Sequence, residues 1–148
     1  QTPFTNLSGM PIQPAGATGV EGTVKVFEEY KPGLKDIDGF SHIVLLYLFH
    51  RSEGFELHVI PFMDTEPRGL FATRAPKRPN PIGMSIVELV RVEGATLHIR
   101  NVDMLDGTPL LDIKPYVPEF DAQVKVRTGW LGDARKTVAD RKSDHRFT

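Results

Sequence analysis

The segment 74–83, which reads RAPKRPNPIG, combines a stiff backbone with concentrated positive charge. Its three prolines fix three φ angles and remove three backbone donors, so the loop loses little conformational entropy on binding. Arg74, Lys77 and Arg78 lie in this loop, and Arg68 precedes it. Cationic side chains on a stiff loop suit an anionic ligand such as a carboxylate or a phosphate. The alternative is a rigid connection with solvated basic residues, but loops this constrained are commonly binding loops.

A second group is acidic and surrounds the turn at 106–109, which reads DGTP; its members are Asp103, Asp106 and Asp112. Asp and Gly both tolerate left-handed conformations, so they form a tight turn at low cost. Asp106 and exposed turn amides could hold ribose hydroxyls or an amino group, although a turn with capping aspartates is the commoner arrangement. Asp112 lies in an apolar run and is predicted to be buried, which requires a partner. Lys114, two residues further on the same strand face, is available for that role.

Histidines and cysteines give little support for a metal site. His42 and His50 point to one face of a strand, but eight residues separate them by roughly 26 Å. We therefore predict an ordinary hydrogen-bonded His42, a His50 that lines a pocket beside Arg51, and no metal. The absence of cysteine excludes thiolate zinc sites, disulfides and thiol nucleophiles. The sequence also lacks a P-loop, a dinucleotide-binding glycine motif and a nucleophile elbow.

The elements that must position these residues are short strands. Twelve prolines and 13 glycines punctuate brief apolar runs, a pattern typical of many strands joined by structured loops. We predict strands at 22–27, 41–50, 56–62, 70–73, 84–92, 96–102 and 110–116. Such spacing favours a mainly β fold, a small closed or nearly closed β-barrel with irregular loops. Residues 1–127 are predicted to form this barrel domain and residues 128–148 a short C-terminal helix or tail, with any helix within 131–142.

Composition sets the wider limits. The chain has 148 residues and a formal net charge of −1, which argues against a polybasic nucleic-acid binder that acts by bulk charge. A local basic site remains compatible with that balance. No apolar run approaches the ~20 residues that a membrane span requires. We therefore expect a cytoplasmic protein without a membrane partner.

Two long strings carry a family resemblance. They are 71–83, which reads FATRAPKRPNPIG, and 106–116, which reads DGTPLLDIKPY, with GFSHI at 39–43 in addition. On these motifs the chain resembles the TsaA-like (TrmO) family from about Pro3 to Asp121. The resemblance implies a small β-barrel that binds S-adenosylmethionine, usually as a homodimer with the site near the subunit interface. It also implies methylation of N6 of threonylcarbamoyladenosine, next to the anticodon of certain tRNAs.

Carried over by motif, the implied cofactor contacts come from four places in the chain. They are Ile12, Gln13, Pro14, His50, Arg51, Arg74, Met84, Leu105, Asp106, Gly107, Thr108, Pro109 and Leu110. Arg74 is expected to hold the methionine carboxylate or to stack on a ring, and the amides of the second loop to contact adenine or ribose. Asp112 and His50 are the candidate catalytic bases for the N6 proton.

The positive loop is expected to approach the phosphates of the tRNA anticodon loop. The predicted RNA contacts are Arg68, Lys77, Arg78 and Asn80. Family members have an arginine at the position of Ile12, an aspartate at that of His50, and a first strand that normally precedes Pro3 and that we expect this chain to lack. These departures leave two alternatives: a methyltransferase of another RNA or a small molecule, and a non-catalytic barrel that binds S-adenosylmethionine or RNA.

Overall fold

Seven strands carry most of the regular structure in a computed structural model that describes residues 1–132 and 134–147. The strands are β1 (Glu21–Lys25), β2 (His42–Leu48), β3 (His58–Val59), β4 (Arg68–Gly69), β5 (Ile82–Glu93), β6 (Thr96–Arg100) and β7 (Leu110–Pro115). Five of them form one antiparallel sheet in the order β1-β6-β5-β2-β7, while β3 pairs with β4 apart from it. The mainly β prediction is confirmed.

The alternation of β2 decides which face of the sheet becomes the core. Ile43, Leu45 and Tyr47 are buried, whereas the residues between them are only partly buried. Strand β2 lies between β5 and β7, so its inward side chains meet inward residues from both neighbours. The sheet therefore has an inner face that continues into the core, built on Ile43, Leu45, Tyr47, Val87, Leu89, Leu97, Ile99, Val102 and Met104.

The strand pairing leaves the five-stranded sheet with two edges, β1 and β7. Among the described residues, no ladder joins β1 to β7, and each of these strands has a single neighbour. A register shift between Leu46 and Tyr47 bends β2 against β7, and a second one between Leu89 and Arg91 bends β5 against β6. Closure of the sheet into a barrel stays a prediction.

Two predicted strands differ in the structure. Residues 70–73 were expected as a strand, but Leu70–Ala72 is a 3-10 helix because the amide and hydroxyl of Thr73 both donate to the Leu70 carbonyl, at 3.0 and 2.8 Å. The strand predicted at 56–62 is only His58–Val59. Its flanking backbone bonds to loops instead: Glu56 N donates to Lys77 O, and Leu70 N donates to Leu57 O.

The helices are short. The one α-helix among the described residues, α1, is Pro118–Asp121. The 3-10 helices are Pro14–Gly16, Glu28–Leu34, Ile37–Gly39, Leu70–Ala72, Gly129–Leu131, Ala134–Asp140 and His145–Phe147. No helix in the described part of the chain is both long and apolar enough to cross a membrane.

The C-terminal segment, residues 128–147 among those described, consists of short 3-10 helices and packs against earlier parts of the chain. Phe147 is buried with Val59, Leu70 and Ala75, and Lys142 forms a β-bridge with Pro11. The 3-10 helix Ala134–Asp140 lies within the predicted helical range. A separate domain boundary at 127/128 stays a prediction.

Candidate functional site

A cleft of about 930 Å³ opens at one end of the sheet, within the roughly 300–1,000 Å³ range of ligand sites. Its walls come from stretches far apart in sequence: the N-terminal segment at 10–15, the end of β2 with the turn after it at 47–52, the proline loop at 71–76, and residues 103–105. The C-terminal segment supplies Trp130 and Phe147 to the same cleft. Most of the lining is apolar or aromatic, so the few polar groups stand out.

Arg74 provides a positive charge at the cleft. Its Nη1 donates to the Gln13 side-chain oxygen at 3.1 Å, which ties the proline loop to the N-terminal segment. Gln13 is extended, and Pro14 then starts a 3-10 helix, so the chain turns sharply beside this bond. Arg74 remains exposed and keeps further donors free for an anionic group.

A chain of three hydroxyl and carboxyl groups lies between the sheet and the cleft. The Ser85 hydroxyl donates to Asp103 Oδ1 at 2.6 Å, and the Tyr47 hydroxyl lies 3.0 Å from Ser85 Oγ. Since the single Ser85 proton goes to Asp103, Tyr47 must donate to Ser85. Burial raises the pKa of Tyr47 above its ordinary range, and the negative charge of Asp103 adds to that rise.

Asp103 has the most unusual acidity near the cleft. Burial raises the pKa of its carboxyl from 3.8 to about 6, although the Ser85 hydrogen bond and the Arg74 charge oppose the rise. The residue is partly buried and lines the cleft, so a ligand can reach it. Its carboxyl therefore changes protonation state close to neutral pH.

Gly83 permits the position of the Tyr47 ring. A Cβ at residue 83 would lie 2.3 Å from Tyr47 Cε2, 2.6 Å from Tyr47 Cζ and 2.9 Å from Phe49 Cζ. These distances are shorter than any ordinary contact, and the two rings also pack edge to face with centroids 5.5 Å apart. The last glycine of the proline loop is therefore needed because the aromatic rings occupy its side-chain space.

The second loop forms the predicted turn. Gly107 has a φ of 71°, and the Thr108 hydroxyl donates to the Leu105 carbonyl at 2.7 Å. The Asp106 carboxylate accepts a hydrogen bond from the Thr2 amide at 2.9 Å, which is a structural role of the kind that the sequence left open. Leu105 and Thr108 reach the cleft.

The cleft brings together nine of the thirteen residues predicted to hold the cofactor. Asp106, Gly107, Pro109 and Leu110 do not line it. His50 lines the cleft as expected. His42, predicted as an ordinary hydrogen-bonded histidine, has its Nδ1 3.0 Å from the Ser41 hydroxyl and does not line the cleft. The nine that line it are Ile12, Gln13, Pro14, His50, Arg51, Arg74, Met84, Leu105 and Thr108.

Asp112 differs from its prediction in burial. It was expected to be buried in β7, but its side chain is 45% exposed because that position faces outward opposite Leu46. The expected partner is present, since Lys114 Nζ lies 2.7 Å from Asp112 Oδ2. This ion pair lowers the pKa of the Asp112 carboxyl. Asp112 does not line the cleft, and its catalytic role stays a prediction.

Three of the four predicted RNA contacts already bond to the protein. Arg78 Nη1 donates to the carbonyls of Leu70, Thr73 and Ala75 at 3.4, 3.0 and 3.3 Å, so it holds the proline loop together. Arg68 pairs with Asp64 at 2.7 Å, and Lys77 pairs with Glu56 at 3.4 Å. Asn80 is exposed.

The C-terminal segment supports the N-terminal wall of the cleft. The Ser143 hydroxyl bonds to the Leu7 and Met10 carbonyls and accepts a bond from the Met10 amide. Trp130 Nε1 donates to the Ala72 carbonyl at 2.8 Å. Among residues 1–132 and 134–147, no three His, Asp or Glu side chains lie together as metal ligands would.

Sequence reasoning missed the buried chain of Tyr47, Ser85 and Asp103. Asp103 was noted as one of three acidic residues near the second loop, and nothing local distinguished it from the other two. A usable signal was its place just after the strand pattern at 96–102, where an inward side chain would meet β5. Only the pairing of β5 with β6 brings Ser85 within 2.6 Å of it.

Relatives in sequence extend over most of the chain. A Pyrococcus abyssi protein named "Probable S-adenosyl-L-methionine-binding protein" is 55% identical over 146 residues, covering 99% of this chain and 79% of that protein. The Homo sapiens tRNA (adenine(37)-N6)-methyltransferase is 32% identical over 130 residues, covering 83% of this chain but only 30% of that protein.

Solved structures agree with these relatives. A crystal structure of TrmO from Pseudomonas aeruginosa has 37% identity and a TM-score of 0.73, and the match covers 88% of this chain and 58% of that one. Another TrmO crystal structure has 40% identity and a TM-score of 0.74. This chain thus spans less than two thirds of those solved chains. Because the family model described as the tRNA-methyltransferase O N-terminal domain matches residues 1–122, the chain belongs to that family.

Proposed function

We propose that this protein is an S-adenosylmethionine-dependent methyltransferase that acts on N6 of a tRNA adenine beside the anticodon, with threonylcarbamoyladenosine as the acceptor. The observation that carries this proposal is the cleft, which collects nine residues predicted for the cofactor from distant parts of the chain. The names of the Pyrococcus and human relatives support the cofactor and the acceptor class respectively. Action on tRNA is consistent with the expected cytoplasmic location.

The residues of the cleft fit such a cofactor. Arg74 is exposed at the cleft and can pair with an amino-acid carboxylate, as guanidinium groups commonly do. The apolar walls, which include Ile12 and Leu105, can cover the adenine ring. When bound, the cofactor supplies an activated methyl group. The protein's contribution is to hold the reacting groups in line, which converts a bimolecular reaction into a positioned one.

An aromatic side chain at the cleft supports an RNA acceptor. Phe71 is 75% exposed, lines the cleft, and has the Arg78 guanidinium 5.6 Å from its ring centroid. Single-stranded RNA loops are recognised by stacking of splayed bases on aromatic and arginine planes. Phe71 therefore offers a stacking surface where a base would enter the cleft.

A homodimer is the second part of this proposal. The outward residues of β2 and β5 form an apolar face in which Ile82, Met84 and Ile86 are 48, 43 and 37% exposed. Their cross-strand partners, Leu48, Leu46 and Val44 respectively, are also apolar. Ile82 and Met84 also line the cleft, so a second copy seated on this face would lie beside the site.

Calorimetric titration with S-adenosylmethionine tests the cofactor site. We expect saturable binding that Arg74→Ala weakens by at least about tenfold, because a charge-assisted hydrogen bond contributes about 1.5–3 kcal/mol. Arg127→Ala is the control, since Arg127 is exposed and does not line the cleft. Equal affinity of the two variants would contradict the placement of the carboxylate at Arg74.

Methyl transfer to tRNA tests the acceptor. We expect transfer to tRNA that carries threonylcarbamoyladenosine and none to the same tRNA without the threonylcarbamoyl group. Transfer to both tRNAs, or only to other acceptors, would favour a methyltransferase of another RNA or a small molecule. Cofactor binding without any transfer would favour a non-catalytic binding protein.

Substitution of Phe71 tests the stacking surface. Phe71→Ala should raise the KM for tRNA by roughly 5- to 100-fold, since base stacking contributes about 1–3 kcal/mol, and should leave cofactor affinity unchanged. Phe120→Ala is a matched control, because Phe120 is 79% exposed on α1 and does not line the cleft. An unchanged KM in the Phe71 variant would contradict this surface.

Light scattering coupled to gel filtration tests the homodimer. The unmodified protein should have the mass of two chains, and Ile86→Glu should have the mass of one because it buries a charge at the interface. Val124→Glu is the control, since Val124 is 98% exposed and outside the sheet. A monomeric unmodified protein would contradict this part of the proposal.

A further inference from the structure

The carboxyl of Asp103 is held at the cleft in one orientation. The Tyr47 hydroxyl donates to Ser85, and the Ser85 hydroxyl donates to Asp103 Oδ1 at 2.6 Å, with Ser85 only 2% exposed. Ionised carboxylates have about four acceptor positions on two oxygens. The described partners of Asp103 are Ser85 and its own backbone amide. The carboxyl therefore keeps free acceptor positions while its orientation is fixed.

The charged groups near Asp103 keep it available as a proton acceptor around neutral pH. Burial raises its pKa to about 6, and the Ser85 hydrogen bond and the Arg74 charge prevent a larger rise. The other ionisable side chains that line the cleft are Tyr47, His50, Arg51, Arg78 and Asp144. A general base is most effective when its pKa lies close to the working pH.

We propose that Asp103 accepts the proton of the nitrogen that is methylated, which makes it the general base of the transfer. This inference rests on the proposed function. The nitrogen–methyl bond forms as the methyl–sulfur bond breaks, which leaves a neutral thioether. The nitrogen–hydrogen bond gives its electron pair back to nitrogen as the proton passes to the Asp103 carboxylate. The products are a methylated neutral nitrogen and a protonated carboxyl, which releases its proton to solvent.

The geometry favours Asp103 over the two bases suggested by sequence. Asp112 is outside the cleft and is held by Lys114 at 2.7 Å, and that ion pair also lowers its pKa. His50 lines the cleft, but no described residue hydrogen-bonds to its imidazole to orient it. Asp103 alone of the three combines a place in the cleft, a fixed orientation and a raised pKa.

Steady-state methylation of tRNA by Asp103→Asn is the decisive experiment. We expect kcat to fall at least about 100-fold, the usual minimum for loss of a general base. Affinity for S-adenosylmethionine, measured by calorimetry, should stay unchanged because the substitution keeps the shape of the side chain. Asp38→Asn is the matched control, since Asp38 is exposed in the 3-10 helix Ile37–Gly39 and does not line the cleft.

Each contrary result is distinct. An active Asp103→Asn would overturn the role of Asp103, and so would lost cofactor affinity with an unchanged kcat, since that would make the carboxyl a cofactor contact. If kcat fell strongly in Asp112→Asn or in His50→Gln but not in Asp103→Asn, the general base would be that other residue. An unmodified protein that transfers no methyl group would instead contradict the proposed function.

A second test follows the titration of Asp103 itself, first in the unmodified protein and then in a variant. NMR titration of the aspartate carboxyl carbons should show one group that titrates near pH 6. The rise of kcat with pH should follow the same titration, and Ser85→Ala should move both to higher pH, because it removes a hydrogen bond that lowers the Asp103 pKa. A rate that ignores this titration would overturn the proposal.

Discussion

Two aspartates on opposite sides of the sheet have carboxyl pKa values that are shifted in opposite directions. Asp103 lies at the cleft beyond the inner face, where burial raises its pKa to about 6. Asp112 lies on the outer face of β7, where Lys114 lowers its pKa. In the sequence, Asp103 follows an alternating strand pattern and Asp112 follows two leucines. The difference teaches that desolvation dominates where few charges can approach, and that an ion pair dominates where water remains.

The largest expected effect is the difference in stability lost when a buried and an exposed leucine of the sheet are each shortened to alanine. Leu45→Ala removes a side chain that is fully buried in β2, so it should lower the free energy of unfolding by about 2–5 kcal/mol. Leu111→Ala, in the neighbouring strand β7, removes a side chain that is 52% exposed and should lower it far less. Urea unfolding measures both. Equal losses would show that the outer side is covered, as in a dimer.

The next effect is a pH dependence of stability with a defined sign. Because the folded-state pKa of Asp103 is raised from 3.8 to about 6, the native state holds a proton in that window that the unfolded state has released. Asp103 therefore costs stability as pH rises through the window, by at most about 3 kcal/mol. The free energy of unfolding of Asp103→Asn, relative to the unmodified protein, should increase between pH 4 and pH 7.

Asp112→Asn is the opposite-sign control for that experiment. The lowered pKa of Asp112 gives a stabilising contribution that is present above its unfolded pKa and lost as pH falls through the folded value. An exposed ion pair of this kind contributes at most about 0.5–1 kcal/mol. At pH 7 the Asp112→Asn variant should therefore be slightly less stable than the unmodified protein, and at pH 3 this difference should shrink. If the free energies of unfolding of Asp103→Asn and Asp112→Asn, each relative to the unmodified protein, changed with pH in the same direction, the two carboxyls would not have opposite pKa shifts.

A smaller effect tests how tightly the cleft end of the sheet is packed. Gly83→Ala forces the Tyr47 ring to move, since the new Cβ would lie 2.3 Å from it, and should cost about 1–3 kcal/mol. The same shift should lengthen the bond between Tyr47 and Ser85. Gly39→Ala is the matched control, because nothing lies within 4 Å of its Cβ position. Thermal unfolding of the two variants should differ clearly.

Much of the sheet was predictable because alternation is a local property. The strand predicted at 41–50 contains β2, and those predicted at 84–92 and 96–102 overlap β5 and β6. The strand predicted at 70–73 was wrong, since Thr73 closes a turn onto Leu70 through its own hydroxyl. That hydrogen bond competes with strand pairing, and a pattern of apolar residues does not predict it.

The candidate site was predictable where motif strings carried it and not where burial decided it. The motifs located the proline loop, the second loop and the residues at 12–14, and nine of the thirteen line one cleft. Burial of Asp112 was predicted wrongly, because an apolar neighbourhood in sequence does not say which face of an edge strand is covered. Arg78 was predicted as an RNA contact, and the sequence did not indicate that its guanidinium bonds to the carbonyls of Leu70, Thr73 and Ala75.

The sequence by itself determined the types of group available: a stiff basic loop, a tight acidic turn, no thiols, and strands whose side chains alternate. Lys114 was a partner that the sequence already offered to Asp112. Tertiary structure alone decided which carboxyl meets Ser85 and which carboxyl is exposed. The physical reason is that strand register selects the neighbours of a side chain, and the neighbours set its solvation and its pKa. Asp103 and Asp112 differ in chemistry because the fold places one at the cleft and the other in water.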